Sequence, residues 1–499
     1  MDNQLECVKE KLQRILSLRA ILSLLHWDEE VFMPPKGAES RARQLKVMAE
    51  LIHEFETDKC LLDELDSALE KREGLSDDEF LMLEEARYDL QRALKVPSKW
   101  VGKFTEMRSK AYHSWVEARK NKNFLIFAPY LEELVLLLRE RAEYLGYVGS
   151  PYNALLEDYE RGVTVEKLES IFNELLEKQT SIYKTLLDKQ DRYSKFSGKE
   201  WSTEKQQELS TNLLTKIGFD FNAGRQDISI HPFTTNLDLF DVRITTRFSK
   251  ENPFSGIYSS LHECGHALYE QGFKLEDRGT WIAQAPSYGI HEAMSRFWEN
   301  IVGRSLSFCK YLYGLLTDYF PGEMAEITPE EIYMEVNRIK ENFIRVEADE
   351  CSYNLHIILR FIIERELIEG KISVNSVPDR WNSLFIEIFG LCPPDDTKGC
   401  LQDIHWSHGS FGYFPSYALG NIFSAQIAER LKTEIEFNEC IEKGDFAPIK
   451  DWLKENIFEV GRRFKAVEIV EKVSNKPLSS QPFINYLREK YSDLYKVVL

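Results

Sequence analysis

Ser259-Ser260-Leu261-His262-Glu263-Cys264-Gly265-His266-Ala267-Leu268-Tyr269-Glu270-Gln271-Gly272 is the stretch around which the chain is organised. On a helix, residues four apart share a face, so His262 and His266 can turn both imidazoles toward one metal ion with Glu263 beside it. This is the H-E-x-x-H pattern of zinc peptidases. Such a centre keeps a coordination position for water, which a neighbouring carboxylate can deprotonate. Cys264 lies about 100° or more round the helix from both histidines, which turns it away from the ion. Gly272 is a suitable helix stop.

A catalytic zinc needs a third protein ligand. After a loop containing Pro286 and Gly289, a second helix opens with Gly289-Ile290-His291-Glu292-Ala293-Met294-Ser295-Arg296-Phe297-Trp298-Glu299-Asn300. Glu292 is the candidate, with Glu299 the next place to look. Arg296 and Glu299, about a turn away, are suited to holding the Glu292 carboxylate from behind.

Upstream of the motif, period-two alternation in Ile228-Ser229-Ile230-His231 and in Asp241-Val242-Arg243-Ile244-Thr245-Thr246-Arg247 predicts a small antiparallel sheet. Its edge could pair with an extended peptide, or the hairpin could simply cover the core. Earlier still, apolar stripes at helical spacing predict helices over 84–94 (closed by Pro97), 104–121, 130–145 and 165–187. Trp27-Asp28-Glu29-Glu30-Val31-Phe32-Met33-Pro34-Pro35-Lys36-Gly37 reads as a packed turn between two helices.

Downstream, Ile344-Arg345-Val346-Glu347-Ala348-Asp349-Glu350 is expected to begin a half-buried helix with an ion-pair network. The segment 399–421, which contains His405, Trp406, His408, Tyr413 and Tyr417, is too rich in His, Tyr and Gly for packing alone. It reads as the wall of a site. Amphipathic helices resume over 423–499.

At 499 residues without a Gly/Ser- or Pro-rich linker, the chain is expected to be mainly α. We expect one large helical unit over 1–499, with a helical cover over 1–220 and the metal site, small sheet and catalytic helices over 221–499. A net charge of −19 argues against nucleic acid and anionic membranes as partners. No secretory signal or membrane-spanning run is evident, and eight scattered cysteines with no C-x-x-C pair read as reduced thiols in a cytoplasm.

Taken together, His231-Pro232-Phe233, Asp241-x-Arg243-x-Thr245, His262-Glu263-x-x-His266, His291-Glu292, Ile344-Arg345-x-x-Ala348-Asp349 and Gly399-x-x-Gln402-Asp403-x-His405-Trp406 resemble the ordered signature of the carboxypeptidase Taq (M32) family of metallocarboxypeptidases. The resemblance extends to the Trp27-Asp28 to Pro34 segment. It implies a mainly helical fold like that of neurolysin and angiotensin-converting enzyme, with a deep active-site groove, and a homodimer. It also implies removal of single residues from the free carboxyl ends of peptides. Ala293 stands where many relatives carry Ser, which removes any hydrogen bond a hydroxyl there would make.

On this reading one Zn2+ per chain sits on His262, His266 and Glu292, and Co2+ can take its place. Glu263 serves as general base and then acid. His405 and Tyr417 are expected to stabilise the oxyanion by analogy with related peptidases, Tyr413 and His408 being their competitors. Arg345 is expected to grip the terminal carboxylate, with Arg243 and Arg247 as alternatives. Two other functions compete: an oligopeptidase cutting internal bonds with the same centre, and a non-catalytic metal-binding protein. The second is disfavoured because Glu263 is not needed to bind zinc.

Overall fold

Local chemistry starts and stops the helices. Ser76 opens the Asp77–Lys95 helix with a reciprocal cap: its hydroxyl accepts from the Glu79 N–H at 3.2 Å while the Glu79 carboxylate accepts from the Ser76 N–H at 2.9 Å. Acids fill the first turn and Arg92 and Lys95 the last, opposing the helix dipole at both ends. The computed structural model describes residues 2–189 and 194–499. Most of them are helical, and the helices Ser98–Asn121, Ala128–Leu145 and Val165–Leu187 fall where the apolar periodicity places them.

The main apolar cluster runs from Ala111 to Tyr491 and draws on residues to either side of position 220. A smaller one joins Val8, Leu12, Leu61, Leu65 and Leu83 of the amino-terminal helices to Trp281 and Ile282. Among the described residues no helix is long and apolar enough to cross a membrane.

The sheet is small, as expected, but mixed. Strand β1 (Gly224–Ile228), β2 (Thr234–Asp238) and β3 (Asp241–Thr246) lie in the order β1-β3-β2. β2 pairs antiparallel with β3, with Thr234 opposite Ile244, whereas β1 pairs parallel, with Gly224 opposite Val242. Antiparallel pairing therefore holds for only one of the two ladders. The alternation in Ile228-Ser229-Ile230-His231 belongs mostly to the link between β1 and β2, where Pro232 has no N–H to pair. β2 is half-buried along its whole length and carries no period-two signal.

Two other expectations shift. The Asp2–Val31 helix runs through Trp27, and the break comes at Phe32 to Gly37, with a 3-10 turn over Pro35–Gly37. Arg345 lies in a separate 3-10 turn, Arg345–Glu347, and the helix begins only at Glu350. Asp349 is its cap, accepting from the N–H groups of Cys351 (2.9 Å) and Ser352 (3.0 Å). The Glu350–Ile368 helix is almost wholly buried rather than half-buried, because the Val165–Leu187 and Phe414–Leu431 helices pack on it.

The H-E-x-x-H stretch lies in the Pro253–Gln271 helix, capped by the Asn252 side chain and started by Pro253. Gly272 does end it, though at φ −93°; a glycine fits there because a Cβ would stand 2.4 Å from the Phe458 ring. Where this helix crosses the Tyr288–Arg296 helix, a Cβ on Gly265 would meet the Met294 carbonyl oxygen at 2.4 Å and Ser295 Cα at 2.6 Å. The two backbones are in direct contact there, and neither can give way as a side chain would. Gly265→Ala should therefore cost about 1–3 kcal/mol of stability through forced separation of the helices. Gly102→Ala, at an open helical position, should be neutral or slightly stabilising. Denaturant unfolding of the two variants checks this, and equal stability would contradict the packing argument.

Candidate metal centre

The helix crossing brings a carboxylate from one helix onto two imidazoles from the other. Glu292 Oε2 lies 3.7 Å from His262 Nε2 and 3.4 Å from His266 Nε2. The ligand atoms of all three residues fall within 4.8 Å of one another. Ligand atoms bound tetrahedrally at about 2.1 Å stand roughly 3.4 Å apart, so the Glu292–histidine separations suit a zinc-sized divalent ion.

Each donor is oriented by a neighbour. His262 Nδ1 lies 2.9 Å from Glu299 Oε2, which leaves Nε2 facing Glu292. Burial alone would lower the His262 pKa, but the Glu292 charge and the Glu299 hydrogen bond together raise it. Burial would likewise raise the Glu292 pKa, yet the Arg296 guanidinium and His262 hold it well below the usual carboxylate range. Arg296 Nε donates to Glu292 Oε1 at 2.6 Å, and Glu299 also receives Arg296 (3.2 Å) and Arg304 (3.1 Å). Glu299 lies in a π-helical turn, Phe297–Val302, that continues the Glu292 helix. His266 is held differently: its ring stacks on His291, with centroids 4.4 Å apart, and His291 Nε2 meets Glu270 at 2.8 Å. Burial, with the His291 charge, pushes the His266 pKa down to about 3, leaving a neutral imidazole suited to ligation.

Glu263 is 6% exposed and accepts a 2.6 Å hydrogen bond from the Thr234 hydroxyl of β2. Burial raises its pKa, partly offset by the His262 charge and this hydrogen bond. A raised pKa makes the carboxylate a stronger base near neutral pH.

A cavity of about 700 Å³ opens over this cluster, lined by His262, Glu263, Glu292, Tyr417 and Arg345 among others. His405 contacts it through Tyr417, its Nε2 lying 3.2 Å from the Tyr417 hydroxyl. Burial pushes the His405 pKa down to about 3 and that of Tyr417 upward. Tyr413 packs edge-on against Tyr417 at 5.1 Å. His408 lies elsewhere, in a second cavity of about 890 Å³ that also reaches His291.

Arg345 is 6% exposed. Its Nε donates to Asp403 at 2.9 Å and its Nη1 to the Tyr353 hydroxyl at 2.9 Å, and its guanidinium lies 4.9 Å from the Tyr417 ring. The nearby acids Glu347, Asp349 and Glu350 are not its ion-pair partners; Asp403, shared with Arg360, is. Arg243 pairs with Asp241 and stacks on Trp27 at 4.3 Å, and neither it nor Arg247 lines the cavity.

Three supports escaped the sequence reading. Thr234 carries no local signal, and the block that contains Asp403 does not point to Arg345, since each acts on a residue far along the chain. Glu160, fully buried, accepts from the Gly289 N–H and from the Ser416 hydroxyl (2.7 Å), tying the Glu292 helix to the Tyr417 helix.

Known proteins resemble this chain over almost its whole length. The family model described as carboxypeptidase Taq (M32) metallopeptidase matches residues 7–491. "Carboxypeptidase 1" of Bacillus subtilis is 37% identical over 486 residues, covering 97% of each chain. "Thermostable carboxypeptidase 1" of Thermus thermophilus is 35% identical, covering 96% of each. The crystal structure of the M32 carboxypeptidase from Deinococcus radiodurans superimposes with a TM-score of 0.97 at 36% identity, covering 99% of this chain and 100% of the other.

Burial raises the Glu160 pKa from 4.5 to about 7. Between those values the folded carboxyl keeps a proton that the unfolded chain has lost. Its contribution is thus complete below about pH 4.5 and declines as pH rises toward 7, with a slope of at most about 1.4 kcal/mol per pH unit. Glu160→Gln should remove this component, so that unfolding free energy measured against pH falls less steeply than in the wild type. Parallel profiles would show that Glu160 does not titrate in this window.

Proposed function

The chain belongs to the carboxypeptidase Taq (M32) metallopeptidase family and is a metallocarboxypeptidase, and on that premise we propose that it is a zinc enzyme whose own residues divide the reaction as follows. The observation that carries this reading is the convergence of His262, His266 and Glu292 beside Glu263, in a cavity shared with Tyr417 and Arg345. A divalent ion on these three ligands, zinc with cobalt able to replace it, supplies Lewis-acid polarisation of the attacking water and of the scissile carbonyl.

Glu263 takes the proton of the attacking water and returns it to the leaving amine. The Thr234 hydroxyl holds its carboxylate in one orientation for both transfers. The Tyr417 hydroxyl, positioned by neutral His405, donates to the developing oxyanion. Arg345 receives the terminal carboxylate: Asp403 and Tyr353 occupy only part of its five-donor fork, and they hold it rigid at the cavity wall. We further propose that residues 1–499 act as one unit, in the cytoplasm and as a homodimer, on peptides with a free carboxyl end. All eight cysteines are free thiols, in keeping with a reducing compartment.

Metal analysis combined with hydrolysis of a blocked dipeptide, before and after chelation, tests the reading. Activity should vanish with the metal and return with zinc or cobalt. His262→Ala and His266→Ala should release the ion. Glu263→Gln should retain it and lose about a hundredfold to ten-thousandfold in turnover, and near-normal activity in that variant would refute its role.

Arg345→Ala should lose most activity on a free-carboxyl peptide and little further on the amide of the same peptide. Equal losses on both, with a lowered melting temperature, would make Arg345 a structural partner of Asp403.

A further inference from the structure

The second cavity, of about 890 Å³, reaches the metal centre at His291 and, among the described residues, shares no lining residue with the cavity that holds Arg345. Asn236 of β2, Glu270 and His291 line its inner end, and His291 stacks on the ligand His266. If Arg345 holds the substrate terminus, the chain on the amino-terminal side of the scissile bond continues past His266 into this space. The inference below rests on that orientation.

The lining of this cavity departs from the charge of the whole molecule. Six arginines line it, Arg19, Arg92, Arg108, Arg141, Arg161 and Arg462, against the four acids Asp89, Glu157, Asp158 and Glu270. The chain as a whole carries −19. Five of the arginines are tied to carboxylates: Arg19 to Glu56, Arg92 and Arg141 to Asp158, Arg161 to Glu85, and Arg462 to Glu85 and Asp89. Among the described residues Arg108 alone of the six has no ion pair.

Arg108 projects from the Ser98–Asn121 helix and keeps access to solvent. Desolvation at the cavity wall lowers its pKa, opposed by Tyr159. His408 lines the same cavity, where burial, helped by the Arg108 charge, lowers its pKa. Tyr159 packs on Tyr413 at 5.1 Å, and Tyr413 on Tyr417 at 5.1 Å. These contacts put Tyr159, on the wall of this cavity, no more than about 10 Å from Tyr417, a span of up to about three extended residues at about 3.3 Å each.

We propose that this corner is a subsite for an acidic substrate side chain, two or three residues before the scissile bond, with Arg108 as its cation and His408 as a hydrogen-bonding neighbour. Every other guanidinium in the cavity already has its counter-charge, so an incoming carboxylate gains most at Arg108. A lysine at the same substrate position meets like charge there.

The test uses acetylated hexapeptides with one fixed carboxyl-terminal residue and Glu, Gln or Lys two or three positions before the scissile bond. The wild-type holoenzyme should favour Glu over Gln by about tenfold in kcat/KM, the range of a charge-assisted contact open to solvent. Arg108→Ala should bring the Glu peptide down to the Gln level while leaving the Gln peptide within about twofold. Arg108→Glu should favour Lys.

Anisotropy of the same peptides, labelled with fluorescein, on Glu263→Gln holoprotein with and without Arg108→Ala reports binding apart from turnover. If no peptide is trimmed, the carboxypeptidase orientation fails. An Arg108-dependent preference for Glu in binding would still support the anion subsite. Equal affinity for Glu and Gln peptides, or a Glu preference that survives Arg108→Ala, overturns it.

Discussion

The structure depends on one close approach. At Gly265 the H-E-x-x-H helix touches the backbone of the following helix with no side chain between them. The Phe414–Leu431 helix presses from the other side, where a Cβ on Gly420 would stand 2.5 Å from Glu292 Cγ. Glu292 is therefore clamped between two helices, and its carboxylate has one place to go. The separations of 3.4 and 3.7 Å to the histidines follow from backbone contact rather than from side-chain reach.

Packing this tight removes several charges from water, and the surroundings decide which survive. Beside the histidines, Glu263 has the Thr234 hydroxyl, whereas Glu292 and Glu299 each have a guanidinium, Arg296 serving both and Arg304 serving Glu299. The same holds at the far wall, where Arg345 and Arg360 share Asp403 and its pKa falls below the usual range despite burial. Glu160 and Glu364, equally buried, receive only neutral donors, and burial raises each to about 7. Guanidinium partners thus keep ionised the acids that support the metal site and Arg345, whereas buried acids met by neutral donors, Glu160, Glu364 and Glu263 among them, have raised pKa values. The two cavities divide along similar lines, with Arg345 held by Asp403 and Tyr353 in one and Arg108 without an ion pair among the described residues in the other.

Some of this was open to reading in the sequence because it is local. Helical spacing alone aligned His262 with His266, and the nearness of a second helix singled out Glu292. Apolar periodicity located the Val165–Leu187 helix, and Pro97 the end of the one before Ser98. Recurrent family blocks, each short and continuous, carried the likeness to M32 enzymes.

What only the tertiary structure decided involves partners distant in the chain. Asp403 reaches Arg345 across 58 positions and Thr234 reaches Glu263 across 29. The acids beside Arg345 in sequence turn elsewhere, Asp349 because it caps the next helix. β2 has no alternation, and β1 pairs parallel to β3 because the chain reverses twice between them. Nor could a net charge of −19 announce a cavity lined by six arginines. Spacing along a helix fixes which side chains share a face, so the sequence by itself determined the metal motif; which face meets which is set by packing between segments, and only the folded chain holds that information.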